Sequence, residues 1–248
     1  MKKIVLTSGT SGIGKSILYK LLSDNENNQI IVNYGHNTDA ANEIYKSLPA
    51  ADQKRVILKK ADLSNYEEAK KFTSFVIDTF QNIDWLILNT GIDAKKNGQR
   101  QMFGEYDIET WEKVLRTNLS IPAFIVQDLK PNFNECGKII FMASYAGVTS
   151  YSGSLVYSVS KAGLIHLAKS LLKFFDDKNV CINAIAPGFI ETPWQKNRSK
   201  DSYDRINKKI ACHRFGEAEE VAKLCVDTLN NDYINGTVLE IHGGYDFF

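Results

Sequence analysis

The sequence predicts an α/β fold, a doubly wound parallel β-sheet of about seven strands flanked by helices on both faces. Three observations carry this. Short runs rich in Val, Ile and Leu recur along the chain, and each is followed by a longer segment with apolar residues at helical spacing. No Pro/Gly/Ser-rich linker or shift in composition divides the 248 residues. Nearly continuous apolar runs suit parallel strands covered on both faces, and strand–helix alternation implies right-handed βαβ crossovers.

The strand runs are KIVLT (3–7), IIVNY (30–34), VILKKA (56–61), DWLIL (84–88), KIIFMA (138–143), VCINAIA (180–186) and TVLEI (237–241). Between them, KSILYKLLSD, EEAKKFTSFVIDTF and EEVAKLCVDTL each place apolar residues on one helical face. A single domain over 1–248 is expected. Segments 92–106 and 193–213 break the rhythm; both are polar and irregular, and both follow strands. In open α/β sheets the ligand crevice lies beyond the carboxyl ends of the strands, so these segments are expected to wall or cover a substrate site. The second carries Lys196, Arg198, Lys200, Arg205, Lys208 and Lys209 against Asp201 and Asp204. It would attract an anionic substrate, such as a carrier-linked or CoA thioester, or else serve only as a solvated mobile lid.

Composition narrows the function classes. The chain is 44% hydrophobic and 24% charged with a net charge of +1, so no concentrated basic face asks for nucleic acid or a membrane surface. No stretch approaches the roughly 20 apolar residues of a membrane span. Four dispersed cysteines (Cys136, Cys181, Cys212, Cys225) form no CxxC pair, which argues against a zinc site or disulfide framework and fits reduced thiols in the cytoplasm. The four histidines show no metal-ligand spacing.

The first turn, LTSGTSGIGKS (6–16), places Gly12 and Gly14 at the start of a helical pattern. Exposed N–H groups and the positive dipole end there favour a phosphate. The next strand ends in Asn33-Tyr34-Gly35-His36, about where a dinucleotide fold carries the acid that accepts from a ribose 2′-hydroxyl. No acid stands before Asp39, and Lys15 and His36 are placed to meet a 2′-phosphate, which favours NADP(H) over NAD(H). Alternatively, Asn33 bonds a ribose hydroxyl and selects neither.

The chemical centre is expected in SYAGVTSYSGSLVYSVSKAGL (144–164). Tyr157 and Lys161 stand i, i+4 and share one helical face, and Ser144 follows the KIIFMA strand directly. A phenol near pKa 10 needs help to exchange a proton at neutral pH; an adjacent ammonium lowers that value. Ser144 is suited to hold a substrate oxygen in place.

On these residues the chain resembles the short-chain dehydrogenase/reductase family over essentially its whole length. The matching stretches are TSGTSGIG (7–14), ADLS (61–64), LNTG (88–91), TNL (117–119), Ser144, YSVSK (157–161), NAIAPGFIET (183–192), RFGEAEEVA (214–222) and NGTVLEIHGG (235–244). The resemblance implies a Rossmann-type fold, hydride transfer between NAD(P)H and a carbonyl, and a catalytic set of Asn118, Ser144, Tyr157 and Lys161. Tyr157 would be the general acid, Lys161 would bind the nicotinamide ribose, and Asn118 would hold a proton-relaying water. Cofactor contacts are implied for Ser8, Gly9, Ser11, Gly12, Ile13 and Gly14, with Asn33 and His36 at the 2′ position. Asp62 would meet the adenine amino group beside Leu63, or else cap the following helix. Asn89 and Gly91 would line the adenosine ribose. Pro187 and Gly188 would shape the nicotinamide face, with Ile190 and Thr192 on its carboxamide.

Three positions depart from the family pattern. Ser8 replaces the first glycine of the turn, Leu88-Asn89-Thr90-Gly91 stands for the usual Asn-Asn-Ala-Gly, and His242 replaces an Asp before Gly-Gly. For the first, Gly9 is expected to supply the backbone freedom, with the Ser8 hydroxyl facing the adenosine phosphates or ribose. The resemblance further implies a homotetramer or homodimer, whose interface would bury the aromatic tail Tyr245-Asp246-Phe247-Phe248. The expected activity is an NADPH-dependent carbonyl reductase similar to 3-oxoacyl-carrier-protein reductases. The alternatives are an NAD-linked alcohol, sugar or steroid dehydrogenase, and a dinucleotide-binding sensor or scaffold without turnover.

Overall fold

The computed structural model describes residues 1–96, 98–150 and 153–245. Seven strands form one parallel sheet: β1 (Lys3–Leu6), β2 (Gln29–Tyr34), β3 (Val56–Lys60), β4 (Ile83–Leu88), β5 (Phe133–Met142), β6 (Cys181–Pro187) and β7 (Val238–Ile241). Their order is β7-β6-β5-β4-β1-β2-β3, so the chain runs outward from β1 in one direction, returns, and runs outward in the other. Every neighbouring pair is parallel. The reversal falls between β1 and β4, and the crevice of a doubly wound sheet opens at such a switch point.

The strands alternate their side chains between two cores. Val5, Ile31, Leu86, Ile139 and Ile182 face one layer, with Phe72, Ile125 and Leu164 from its helices. Ile4, Ile30, Ile87, Ile140 and Ile185 face the other, with Ile17, Leu21 and Val221. The first layer comprises α3 (Tyr66–Phe80), α5 (Ile121–Leu129) and α6 (Leu155–Leu171); the second comprises α1 (Gly12–Asp24), α2 (Thr38–Ser47) and α8 (Ala218–Leu229). Burying each such side chain contributes about 1.5–3 kcal/mol, which explains why both faces demand apolar strands. A shorter helix, α4 (Ile108–Leu115), runs through a π-turn at Arg116–Ser120 into α5. Among the described residues, no helix is long and apolar enough to cross a membrane.

Both irregular segments are more ordered than their composition suggests. Lys95–Lys96 pairs antiparallel with Gln99–Arg100. Residues 200–207 form a helix, α7 (Lys200–Asn207), whose Ile206 joins Ile210 and Phe215 in a small core, with Tyr203 stacked on Phe215 at 4.0 Å. The Tyr203, Ile206, Ile210 spacing was a helical face outnumbered by surrounding lysines. Of the aromatic tail, 246–248 lie outside the described residues.

The first turn closes under severe steric limits. A Cβ on Gly14 would lie 2.1 Å from the Ser8 carbonyl oxygen and 2.6 Å from Asn89 Nδ2. Gly14→Ala should therefore destabilise the fold by about 1–3 kcal/mol, read as a lowered Tm. An unchanged Tm would mean that the turn is looser than this packing requires.

Candidate active site

One cavity of about 360 Å³ opens where β1, β4, β5 and β6 end. The first turn contributes Ser8, Ser11, Gly12 and Ile13, and the end of β4 contributes Asn89 and Gly91. Ser144 follows β5, Tyr157 and Lys161 project from α6, and Pro187, Gly188, Ile190 and Thr192 follow β6. Thus most of the expected site meets in one space, although its members are spread from residue 8 to residue 192.

Lys161 is its electrostatic centre. The side chain is 3% exposed, and Nζ donates to the Met142 carbonyl at 2.8 Å. Nζ lies 5.7 Å from the centre of the Tyr157 ring. Burial pushes the amine down to about 8. Gly91 makes room for it, since a Cβ there would stand 3.2 Å from Nζ.

Ser144 caps a 3₁₀ turn over Tyr145–Gly147, its Oγ accepting from the Ala146 N–H at 3.2 Å. This turn lies directly on α6. A Cβ at Gly147 would fall 2.6 Å from both Ala162 N and Lys161 C, so Gly147 lets the Ser144 segment and the Tyr157/Lys161 helix touch at backbone distance.

Asn118 does not line the cavity. It sits fully buried in the π-turn, accepting from the Ile92 N–H at 2.8 Å and donating to the Ile92 carbonyl at 2.9 Å and Ser160 Oγ at 3.0 Å. Ser160 Oγ in turn donates to the Tyr157 carbonyl at 2.7 Å. The Asn118 amide therefore ties the end of β4 to the helix turn bearing Tyr157.

Several cofactor expectations need correction. The positive φ belongs to Ser8 itself (50°) and to Gly12 (48°), not to Gly9. Gly9 is required for space, because a Cβ there would lie 2.6 Å from Val32 Cγ1. The Ser8 hydroxyl is bonded to Thr90 Oγ1 at 2.8 Å. Asn33 is 1% exposed and turned inward, accepting from the Ser8 N–H and donating to the Ala61 carbonyl; its side chain is not placed to touch a ribose. Leu63 lies in the core. The helix after Asp62 is capped by Asn65, whereas Asp62 accepts from the Ser64 N–H one turn earlier. His36 and Asp62 stand outside the cavity, 3.6 Å apart, at the open end of β2. Lys15 instead lies over the Tyr19 ring at 5.7 Å.

The two segments expected to wall the site do reach the cavity, through residues the sequence did not mark individually. Trp194 stands 5.9 Å from the Tyr157 ring, with Lys95 Nζ 5.9 Å above it, so the two walls meet at the mouth. Asp93 accepts from Arg100 Nε at 2.6 Å and from Ser154 Oγ at 2.5 Å, joining one wall to the start of α6. His242, the third departure, stacks on Tyr145 at 4.0 Å, and Gly188 is pressed against its Cα. The glycine turn and the YxxxK pair were visible as local patterns; contacts from separate loops had no local pattern to betray them.

The short chain dehydrogenase family model matches residues 2–203. A 3-oxoacyl-[acyl-carrier-protein] reductase of Aquifex aeolicus is 32% identical, covering 98% of this chain and 96% of the relative. A reductase of the same description from Staphylococcus epidermidis is 30% identical over 98% of this chain and 99% of its own. Among solved structures, a short-chain dehydrogenase/reductase from Serratia marcescens superposes with a TM-score of 0.87 at 23% identity, covering 98% of this chain and 97% of the other. A blue fluorescent protein from a metagenomic library, in complex with NADPH, gives 0.89 at 21%, covering 99% and 98%. The chain belongs to the short-chain dehydrogenase/reductase family. It is an NAD(P)-dependent oxidoreductase.

A buried ammonium opposes folding. Since the Lys161 amine is depressed to about 8, its penalty is full below that pH and fades as pH rises toward the ordinary 10.5. Lys161→Met should therefore raise the Tm at pH 7 by several degrees while lowering turnover about a hundredfold or more. A lowered Tm would show that the amine stabilises the fold instead.

Proposed function

We propose that the protein reduces a ketone to an alcohol with NADPH, with 3-oxoacyl thioesters as the leading substrate class. The observation that carries this is the single cavity joining the glycine turn to Ser144, Tyr157 and Lys161. The full-length similarity to 3-oxoacyl-[acyl-carrier-protein] reductases supports the substrate class. The cavity fits a dinucleotide on its own features. It begins at the N-terminus of α1, where Gly12 takes a positive φ and Gly14 admits no side chain, and it ends at a buried amine. Ser11, Gly12 and Ile13 would hold the phosphates beside Ser8, whose own polar groups bond Asn33, Asn89 and Thr90. Asn89 and Gly91 would take the adenosine side, and Pro187, Gly188, Ile190 and Thr192 the nicotinamide.

When bound, the dinucleotide supplies the hydride. Ser144 Oγ orients the substrate carbonyl, and the Tyr157 hydroxyl donates a proton to its oxygen. Below about pH 8 the Lys161 amine is charged, and in that dry surrounding it stabilises the phenolate left behind. Asn118 fixes the helix turn through Ile92 and Ser160. Asp93 and Arg100 from one wall, and Trp194, Gln195 and Arg198 from the other, line the cavity beside the reacting groups.

The choice of NADPH rests on the absence of an acid from the end of β2, which reads Asn33-Tyr34-Gly35-His36. One observation favours NADH: Asp62 stands 3.6 Å from His36 and brings a carboxylate to that end. Fluorescence titration should show NADPH bound at least tenfold tighter than NADH, and the reverse order would overturn the cofactor choice. In a turnover screen over 3-oxoacyl thioesters, quinones, sugars and steroids, Tyr157→Phe should lose about a hundredfold or more in rate. Activity unchanged by that substitution would remove Tyr157 from the chemistry. We also place the protein in the cytoplasm as a homotetramer or homodimer, with Phe124 and Phe174 among its exposed apolar side chains; light scattering reads the assembly.

A further inference from the structure

Two departures from the family pattern touch each other. Ser8, in place of a glycine, and Thr90, in place of an alanine, lie 82 residues apart in sequence, yet their hydroxyls are 2.8 Å apart. Ser8 is the residue of the turn whose φ is 50°, a conformation that a side chain disfavours. Its backbone is held on both sides: the N–H donates to Asn33 Oδ1 at 3.2 Å, and the carbonyl accepts from Asn89 Nδ2 at 3.2 Å. The hydroxyl is the third restraint. Thr90 is itself fixed, its N–H donating to Thr7 Oγ1 at 3.1 Å. It immediately precedes Gly91, the residue packed against Lys161 Nζ.

We propose that Ser8 and Thr90 form a coupled positioning pair, in which the hydroxyl contact holds the cofactor turn in the left-handed conformation that glycine would adopt unaided. The pair joins the phosphate end of the cavity to the loop that seats Lys161. Neither residue alone explains the other: a serine at this bend without the threonine is strained, and a threonine here without the serine loses its hydroxyl partner. The proposal rests on the reading of this cavity as a dinucleotide site.

The test is a mutant cycle on the full chain, read by NADPH fluorescence titration, with Tm followed in parallel. Ser8→Ala keeps the side-chain strain and removes the bond; Thr90→Val keeps the shape and removes the same bond. Each should weaken NADPH binding about five- to tenfold, and the double variant should be no worse than either single one, because both break one contact. Thr90→Ser, which retains the hydroxyl, should bind as the unaltered protein does. The decisive variant is Ser8→Gly/Thr90→Val, which should bind NADPH within about twofold of the unaltered protein, since glycine adopts this φ freely. Additive losses, full affinity in Thr90→Val, or failure of glycine to rescue would each overturn the pair. If Thr90→Val does not fold, Thr90→Ala takes its place in every arm, with the same expected outcomes. An unaltered protein that binds neither NADPH nor NADH would overturn the cofactor reading as well, whereas equal binding by every variant would sink the pair alone.

Discussion

Lys161 carries an ammonium into the buried floor of the cavity, and much of the surrounding architecture holds it there. Its side chain is almost wholly buried, with Met142 O as the acceptor at 2.8 Å. Burial of this kind opposes ionisation, and it is tolerated here because the amine sits where the carboxyl ends of β4 and β5 converge on α6. Gly91 leaves the space for it, and Gly147 lets the Ser144 turn press against the same helix. Nζ stands 5.7 Å from the Tyr157 ring centre, and in the proposed reaction a medium that screens charge poorly would give this lysine leverage over the phenol.

The other contacts make sense as supports for that arrangement. Asn118, outside the cavity, pins the backbone of Ile92 and the Ser160 hydroxyl, and so fixes the helix turn between Tyr157 and Lys161. Its place in a π-turn suits this role, because such turns displace a helix locally and recur at functional sites. Asp93 links the Arg100 wall to Ser154, the N-cap residue of α6. From the other side, Tyr145 stacks on His242 and meets Tyr245, while Phe189 connects Tyr245 to Phe215 beneath α7. The aromatic contacts carry the substrate wall onto the Ser144 turn, so the mouth and the chemical centre are mechanically continuous.

Much of this was legible in the sequence. All seven strands were marked by apolar runs, because a parallel sheet covered on both faces leaves its strands few polar choices. The exception in extent is β5, which starts at Phe133, five residues before the apolar run at Lys138. Its first half, Asn134 to Gly137, is polar and irregular, with Cys136 at a φ of 57° and a register shift opposite Ile83/Trp85. The YxxxK pair and the glycine turn were visible because helical spacing and a bend are local properties. Asn33 was misread for the opposite reason. Its position at the end of β2 suggested a ligand contact, but its side chain turns inward to the Ser8 N–H and the Ala61 carbonyl, partners distant in sequence. Trp194, Asp93 and Arg100 lie in the two segments expected to wall the site but carried no individual signal, since only the folding of those segments over the strand ends brings them to the cavity.

The site turns on the state of one nitrogen, and that can be observed directly. Lysine amines labelled by ¹³C reductive methylation give separate resonances whose shifts follow protonation, and the Lys161 signal is assigned by its loss in a Lys161 substitution. In the cofactor-free protein this resonance should titrate near 8, well below the 10.5 of an ordinary lysine. A midpoint at the ordinary value would mean that the amine is solvated, and that the site holds no buried charge.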